Sequence, residues 1–291
     1  IYLDIATQQG LLSGIGIGEQ VLLHNPREVA KANNILEDDA IVLPSKQTIS
    51  TPEATAFLSQ REVVQKTTDE DMIDNGEMAT LDVFFVYSTN VHDVINDIDT
   101  RIDHLIAFAN QAFEDSGILM AVRFKGKLEV DYPYTLGQVA LSDIRNGNSP
   151  FEEVDKYRFQ SGADAVALLI PQAEGDGSAG IAYLNGHISS SSADAMFSQT
   201  DVDAGASTFV HEIGHNLGLG HSRPQGNTGA DFPYGVGFRI PAPNNRGFNT
   251  IMSYSTQGAS DEFPLFSNPG KLCGTFPCGV SKHDSEYGAD A

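Results

Sequence analysis

At 291 residues, with 41% hydrophobic and 19% charged residues, the chain has a globular composition and is long enough to bury a substantial core. Its 17 Lys and Arg against 39 Asp and Glu leave a formal charge of −22, which repels phosphate backbones and anionic lipid and argues against nucleic acid as a partner. No apolar run approaches the roughly 18 residues that a membrane span requires, so none is expected.

Residues 1 to about 43 alternate short apolar runs (Ile1 to Ile5, Gln20 to Leu23, Ala40 to Leu43) with turn residues, the pattern of small β structure. The run Gly14-Ile15-Gly16-Ile17-Gly18 lacks the strand and helix that flank a phosphate-binding loop, and reads as a flexible strand edge. From Pro44 to Met78 the composition turns polar and acidic, a connector with a short helix expected around Glu53 to Gln65. The chain therefore divides into an N-terminal region, residues 1–78, and a larger domain, residues 79–291. Leu81 to Ser88 is a continuous apolar run, as a strand buried on both faces requires. From Val91 to Phe113 apolar residues recur at helical spacing, predicting one helix over residues 91 to about 115. A half-buried strand is expected over Ala121 to Asp131, and helices over Leu136 to Arg145 and Phe151 to Phe159. Ala163 to Ile170 reads as a buried strand and Ile181 to Leu184 as a short one between glycines. Asp203 to Leu219 reads as a helix with Asp201 or Asp203 as its N-cap. Gly, Pro and Asn dominate thereafter. Cys273 and Cys278 are the only cysteines and suit a small disulfide-closed loop, which favours an oxidising, extracellular setting. A zinc ribbon would need a second ligand pair, and only His283 lies near.

The segment from His211 to His221, HEIGHNLGLGH, carries the chemistry. On a helix His211 and His215 share one face and can hold one zinc ion, while Val210, Ile213 and Leu217 anchor the opposite face in the core. Gly218 can adopt a positive φ that ends the helix and turns the chain, so that His221 completes the ligand set. Three neutral imidazoles leave the fourth position of zinc open for water, as catalytic sites do. Glu212 stands beside a ligand, placed to act as general base on that water and then to protonate a leaving amine.

Through His211 to His221, and through Thr250-Ile251-Met252-Ser253-Tyr254 as a Met-turn, the chain resembles the metzincin zinc proteases over roughly residues 80 to 291. The Gly180 to Leu184 strand and Phe266-Ser267-Asn268-Pro269 look most like bacterial reprolysin-like members. The resemblance implies an α/β catalytic domain with a mixed twisted sheet, long helices, an active-site helix and a small irregular C-terminal subdomain whose Met252 lies beneath the metal. It also implies zinc-dependent endopeptidase activity on protein or peptide substrates, with Ile181 to Leu184 as the cleft edge that pairs with an extended substrate. Ser222 stands where snake-venom reprolysins have Asp, and their many cysteines are missing. Tyr254 matches the position of a switchable tyrosine in related families and is a candidate for zinc or oxyanion contact.

Three other readings stand beside this one. An acidic third ligand would have to be Asp231, and a non-catalytic zinc-stabilised binding module would be expected to lack Glu212. Residues 1–78 could be a prosegment that keeps a zymogen latent through Asp38, Asp39 or His24, or an accessory domain retained in the active enzyme. Glu174-Gly175-Asp176-Gly177 leaves room for a calcium ion but reads more simply as a solvated turn. His24, His92, His104, His187 and His283 lack ligand spacing. The specificity pocket is expected in the irregular segment after His221, where Arg239 and Arg246 are candidates to favour acidic side chains, beside the simpler reading of each as an exposed surface arginine.

Overall fold

The computed structural model describes residues 2–7, 10–17, 20–24, 39–42, 77–185, 192–226, 232–240, 247–254, 260–284 and 286–291. Three antiparallel strands, β1 (Tyr2–Thr7), β2 (Gly10–Ile17) and β3 (Gln20–His24), form a small sheet of their own. The short helix expected around Glu53 to Gln65 lies outside the described residues.

The main sheet has six strands in the order β4-β8-β9-β7-β5-β6. These are β4 (Ala40–Val42), β5 (Ala79–Ser88), β6 (Met120–Val130), β7 (Ala165–Ile170), β8 (Gly180–Leu184) and β9 (Phe197–Asp201). β5, β6, β7 and β9 run parallel, β8 runs antiparallel to β9, and β4 lies parallel to β8. Alternation along the strands divides the core between two faces. Val83, Phe85 and Tyr87 of β5 and Ala165, Ala167 and Leu169 of β7 pack beneath helices α1 (Ile98–Ser116) and α4 (Ala206–Asn216). Phe84, Val86, Val166, Leu168 and Ile170 face the other way, against α2 (Gly137–Asn146) and α3 (Val154–Ser161). The continuous apolar runs of β5 and β7 follow from this double cover.

Helix boundaries and one element differ from expectation: α3 begins at Val154, not Phe151, and α4 ends at Asn216, not Leu219. Residues Thr89–Asp93 form a separate 3₁₀ turn, and α1 starts only at Ile98, because Asp97 accepts hydrogen bonds from the N–H groups of Asp99 (3.0 Å) and Thr100 (3.2 Å). Val91 and Ile95 still enter the core, which is why the apolar periodicity ran on past the true start. α4 begins at Ala206 after Gly205, without a side-chain cap; Asp201 instead ends β9 and accepts from Gln199 Nε2 at 3.0 Å. β9 itself was not anticipated, since Phe-Ser-Gln-Thr-Asp carries no apolar alternation, yet all five residues are buried between β7 and β8.

After α4 come the short strands β10 (Arg239–Ile240), β11 (Gly247–Asn249) and β12 (Ser260–Glu262), then a two-stranded hairpin of β13 (Leu272–Cys273) and β14 (Phe276–Pro277). Cys273 and Cys278 are joined there, with Cα atoms 5.1 Å apart. This subdomain is tied to the end of α1. Ser116 Oγ accepts from Phe266 N (2.9 Å), Asn268 Nδ2 donates to Ser116 O (2.8 Å), and the rings of Phe113 and Phe266 stack with centroids 5.5 Å apart. Truncating Phe113, which is 1% exposed, leaves a cavity in that junction. Phe113→Ala should cost about 3–5 kcal/mol, read as a lower urea midpoint at unchanged m-value. A loss under about 1 kcal/mol would show that the junction is not a packed core.

Candidate active site

α4 carries His211, Glu212 and His215, all buried with the rest of its inner face. The helix stops at Asn216, and Gly218 takes φ 87°, which lets the chain turn back and bring His221 to the same point. His211 Nε2 and His215 Nε2 each lie 3.1 Å from His221 Nε2. A fourth group, Asp39, enters from the N-terminal region: its carboxylate lies 2.8 Å from His221 Nε2, 3.2 Å from His215 Nε2 and 3.6 Å from His211 Nε2. The four ligand atoms lie within 4.8 Å of one another, and all four residues are buried.

The outer nitrogens decide what this cluster can hold. His211 Nδ1 lies 2.6 Å from Ile251 O and His215 Nδ1 lies 2.8 Å from Leu219 O. A carbonyl can only accept, so each Nδ1 carries a hydrogen and each neutral ring presents a bare lone pair at Nε2. These lone pairs point at one another and at a carboxylate. One proton on His211, which the charge of Asp39 favours against burial, would satisfy a single contact. A metal cation satisfies all of them, and the pair of carbonyl-held imidazoles is the orientation that metal-ligating histidines adopt. Burial lowers the His215 pKa to about 4, keeping that ring neutral. Burial alone would raise the Asp39 carboxyl, but the charge of His211 and hydrogen bonds with His211, His215 and His221 outweigh it and hold it well below the usual range.

Glu212 is 0% exposed, and neither carboxylate oxygen has a hydrogen-bond partner. Burial, then the charges of Asp39 and Asp201, push its pKa well up. Its room comes from Gly180, where a Cβ would sit 2.6 Å from Glu212 Oε1. An orphaned buried carboxylate beside a metal-type cluster marks Glu212 as a candidate functional group.

The last turn of α4 is locked to the cleft edge by two asparagines that the sequence reading did not single out. Asn216 Nδ2 donates to the carbonyls of Tyr183 (3.0 Å), Phe197 (3.0 Å) and Ala195 (3.3 Å). Asn185, just beyond β8, returns bonds to Asn216 O (2.7 Å) and His215 O (3.2 Å), satisfying carbonyls that a helix end leaves open. The signal available was a polar Asn216 inside an otherwise apolar and glycine-rich run. Below the histidines Met252 is fully buried against Gly214, whose Cβ would lie 2.3 Å from Met252 Sδ. Gln225 Oε1 accepts from Ser222 Oγ, Ser253 Oγ and Tyr254 N, joining the chain after His221 to the Met252 turn. Tyr254 lies over the site, its ring centroid 4.5 Å from that of His221 and 5.8 Å from that of His211. Its hydroxyl accepts from Asp39 N at 3.3 Å.

Other candidates fall elsewhere. Asp231, Asp38, Arg246 and His187 lie outside the described residues, as does the side chain of His24, and His283 is exposed. The carboxylate oxygens of Asp176 accept from Gly137 N (2.6 Å) and from Ser178 N (3.3 Å), the bonding of a capped turn.

The helix-borne histidine pair, the glycine turn, the third histidine and the buried methionine beneath them define a metallopeptidase domain, and a family model described as metallo-peptidase family M12B, reprolysin-like, matches residues 99–222. The chain carries a reprolysin-like metzincin domain. Among curated proteins it is 32% identical over 228 residues to the peptidyl-Asp metalloendopeptidase of Pseudomonas aeruginosa; the match takes in 70% of this chain, which spans 37% of that relative's length. A solved structure titled "Structure of a chaperone-substrate complex" aligns with TM-score 0.51 and 24% identity over 66% of this chain and 30% of the other, a likeness of fold alone.

Replacing Gly214 with alanine tests whether Met252 supports the ligand helix. Gly214→Ala should lose about 1–3 kcal/mol through overpacking and bind divalent metal more weakly, measured by thermal melts with and without metal and by metal content after dialysis. Unchanged stability and stoichiometry would mean that Met252 yields freely.

Proposed function

We propose that the chain is a zinc-dependent endopeptidase and that its N-terminal region keeps it latent through Asp39. One observation carries the reading: three histidine Nε2 atoms and the Asp39 carboxylate converge within 4.8 Å, beside the unpartnered carboxylate of Glu212. A zinc ion held by His211, His215 and His221 would polarise the scissile carbonyl and make water nucleophilic near neutral pH. Glu212, whose carboxylate has no hydrogen-bond partner among the described residues, takes the proton of the attacking water and returns it to the leaving amide nitrogen. Tyr254, in contact with two of the histidine rings, donates its phenolic hydrogen to the developing oxyanion once Asp39 has left.

The latent reading rests on what Asp39 and β4 occupy. Ala182 N donates to Asp39 O at 3.0 Å, and β4 continues along β8 in the register Ala40↔Ala182, Ile41↔Tyr183, Val42↔Leu184. β8 is the strand that an extended substrate would have to join, so a chain segment already hydrogen-bonded to it competes for the same main-chain groups. An accessory domain retained in the active enzyme would not need a carboxylate on the metal ligands. For substrate class we infer polypeptide cut beside aspartate, supported by the name of the P. aeruginosa relative. The Cys273–Cys278 pair supports an extracellular, oxidising setting.

Two variants test the parts separately. Glu212→Gln should keep one equivalent of zinc yet lose hydrolysis by roughly 1000-fold or more, as expected for a missing general base assisted by an aligned water; failure to bind zinc, or normal cleavage, would remove Glu212 from that role. Asp39→Ala breaks the buried contact that holds β4 over the site. It should raise chelator-sensitive cleavage of a reporter peptide by roughly 10- to 100-fold, in line with about 1.4 kcal/mol per factor of ten. Parent and variant of equal, chelator-sensitive activity would leave the endopeptidase and discard the latch.

A further inference from the structure

Arg239 opens β10, which pairs antiparallel with β11 so that Arg239 stands opposite Asn249. Paired residues point to the same face of a ladder, and here both reach the turn that ends at Tyr254. Asn249 Nδ2 donates to Ser253 O at 2.8 Å, and an Arg239 terminal nitrogen donates to Tyr254 O at 3.3 Å. That carbonyl belongs to the residue whose ring lies against His211 and His221, so the guanidinium stands one residue's backbone behind the wall of the metal cleft.

The cation is poorly matched where it stands. Its Nε is buried without a hydrogen-bond partner, and among the described residues no carboxylate lies within ion-pair distance of it. Burial pulls its pKa below the ordinary arginine value. A half-buried guanidinium that, among the described residues, makes one long bond to a carbonyl is costly, and the group that relieves it best is a carboxylate accepting two N–H bonds at once. In a chain of formal charge −22 an acidic peptide is repelled at long range, so any preference for one has to be generated locally, within the roughly 8 Å over which salt leaves charges unscreened.

We propose that Arg239 determines substrate specificity, its guanidinium receiving the side-chain carboxylate of an aspartate that flanks the scissile bond. The inference rests on the endopeptidase reading above and adds to it the residue that reads the acid. Arginine suits the task better than lysine would, because its planar fork matches a carboxylate while an ammonium acts only as a point charge.

The test uses the zinc-loaded full chain carrying Asp39→Ala and two quenched reporter peptides that differ only in Asp against Asn beside the cleaved bond. With Arg239 present, kcat/KM should favour the Asp peptide by roughly 30-fold or more, the scale of charge-assisted hydrogen bonds lost to a neutral isostere. Arg239→Gln should erase that ratio while changing cleavage of the Asn peptide less than about threefold, and Arg239→Lys should retain part of it. An arginine that only supports the Tyr254 turn predicts something else: both peptides lose equally, in both variants, and the ratio survives. That result overturns the proposal, as does an Asp preference untouched by either substitution. If the Arg239-containing chain cuts both peptides equally in a chelator-sensitive reaction, the inference falls and the endopeptidase stands. If it cuts neither, the endopeptidase reading falls and takes the inference with it.

Discussion

Two hydrogen bonds on the far side of the imidazoles govern this site, those from His211 Nδ1 to Ile251 O and from His215 Nδ1 to Leu219 O. They fix the tautomer, and the tautomer leaves lone pairs on the inner nitrogens facing one another and a carboxylate. Buried acceptors gathered around one point repel each other and are cut off from water, so the arrangement is stable only around a cation. Much of the remaining structure serves to present those two carbonyls. Leu219 O depends on the turn at Gly218, and Ile251 O depends on the turn braced by Asn249, Gln225 and buried Met252.

The same economy shapes the opposite wall. β8 is held on one side by β9 and at its end by Asn185 and Asn216, so its position relative to α4 is set by hydrogen bonds to main-chain carbonyls and does not depend on what occupies its outer edge. That edge is taken by β4, and Asp39 immediately precedes it. A strand edge beside a metal cluster exposes two kinds of unsatisfied group, main-chain donors and acceptors along β8 and a ligand position at the histidines. A single segment of four residues, 39–42, answers both. Under the latent reading this coupling has a physical consequence: loss of the carboxylate weakens the strand pairing, and loss of the pairing exposes the carboxylate to competing water.

Much of the domain could be read from the chain because its signals are local. The apolar runs of β5 and β7, the amphipathic spacing of α1 and the HEIGHNLGLGH segment each record a requirement met within a few residues, a doubly covered strand, a one-sided helix, ligands one turn apart. The helix start at Ile98 was missed because apolar periodicity describes what packs, and Val91 and Ile95 pack without being in that helix. β9 was missed for the converse reason. Its side chains are polar, and it is a strand because β7 and β8 offer partners on both sides, which no pattern within Phe197–Asp201 records.

By itself the sequence determined the metal-type ligand set, the neighbouring glutamate and the turn that brings His221 round, since these depend on helix geometry and on one glycine's freedom at positive φ. Only the tertiary structure brings Asp39, 172 positions before His211, against the histidines, through strand pairing that has no local signature. Only the tertiary structure, too, separated Asn216 and Asn185 from ordinary loop polar residues and left Arg239 Nε buried without a partner among the described residues. Both distinctions turn on which groups lose water on folding and what they meet instead, and burial of that kind is a property of the assembled fold.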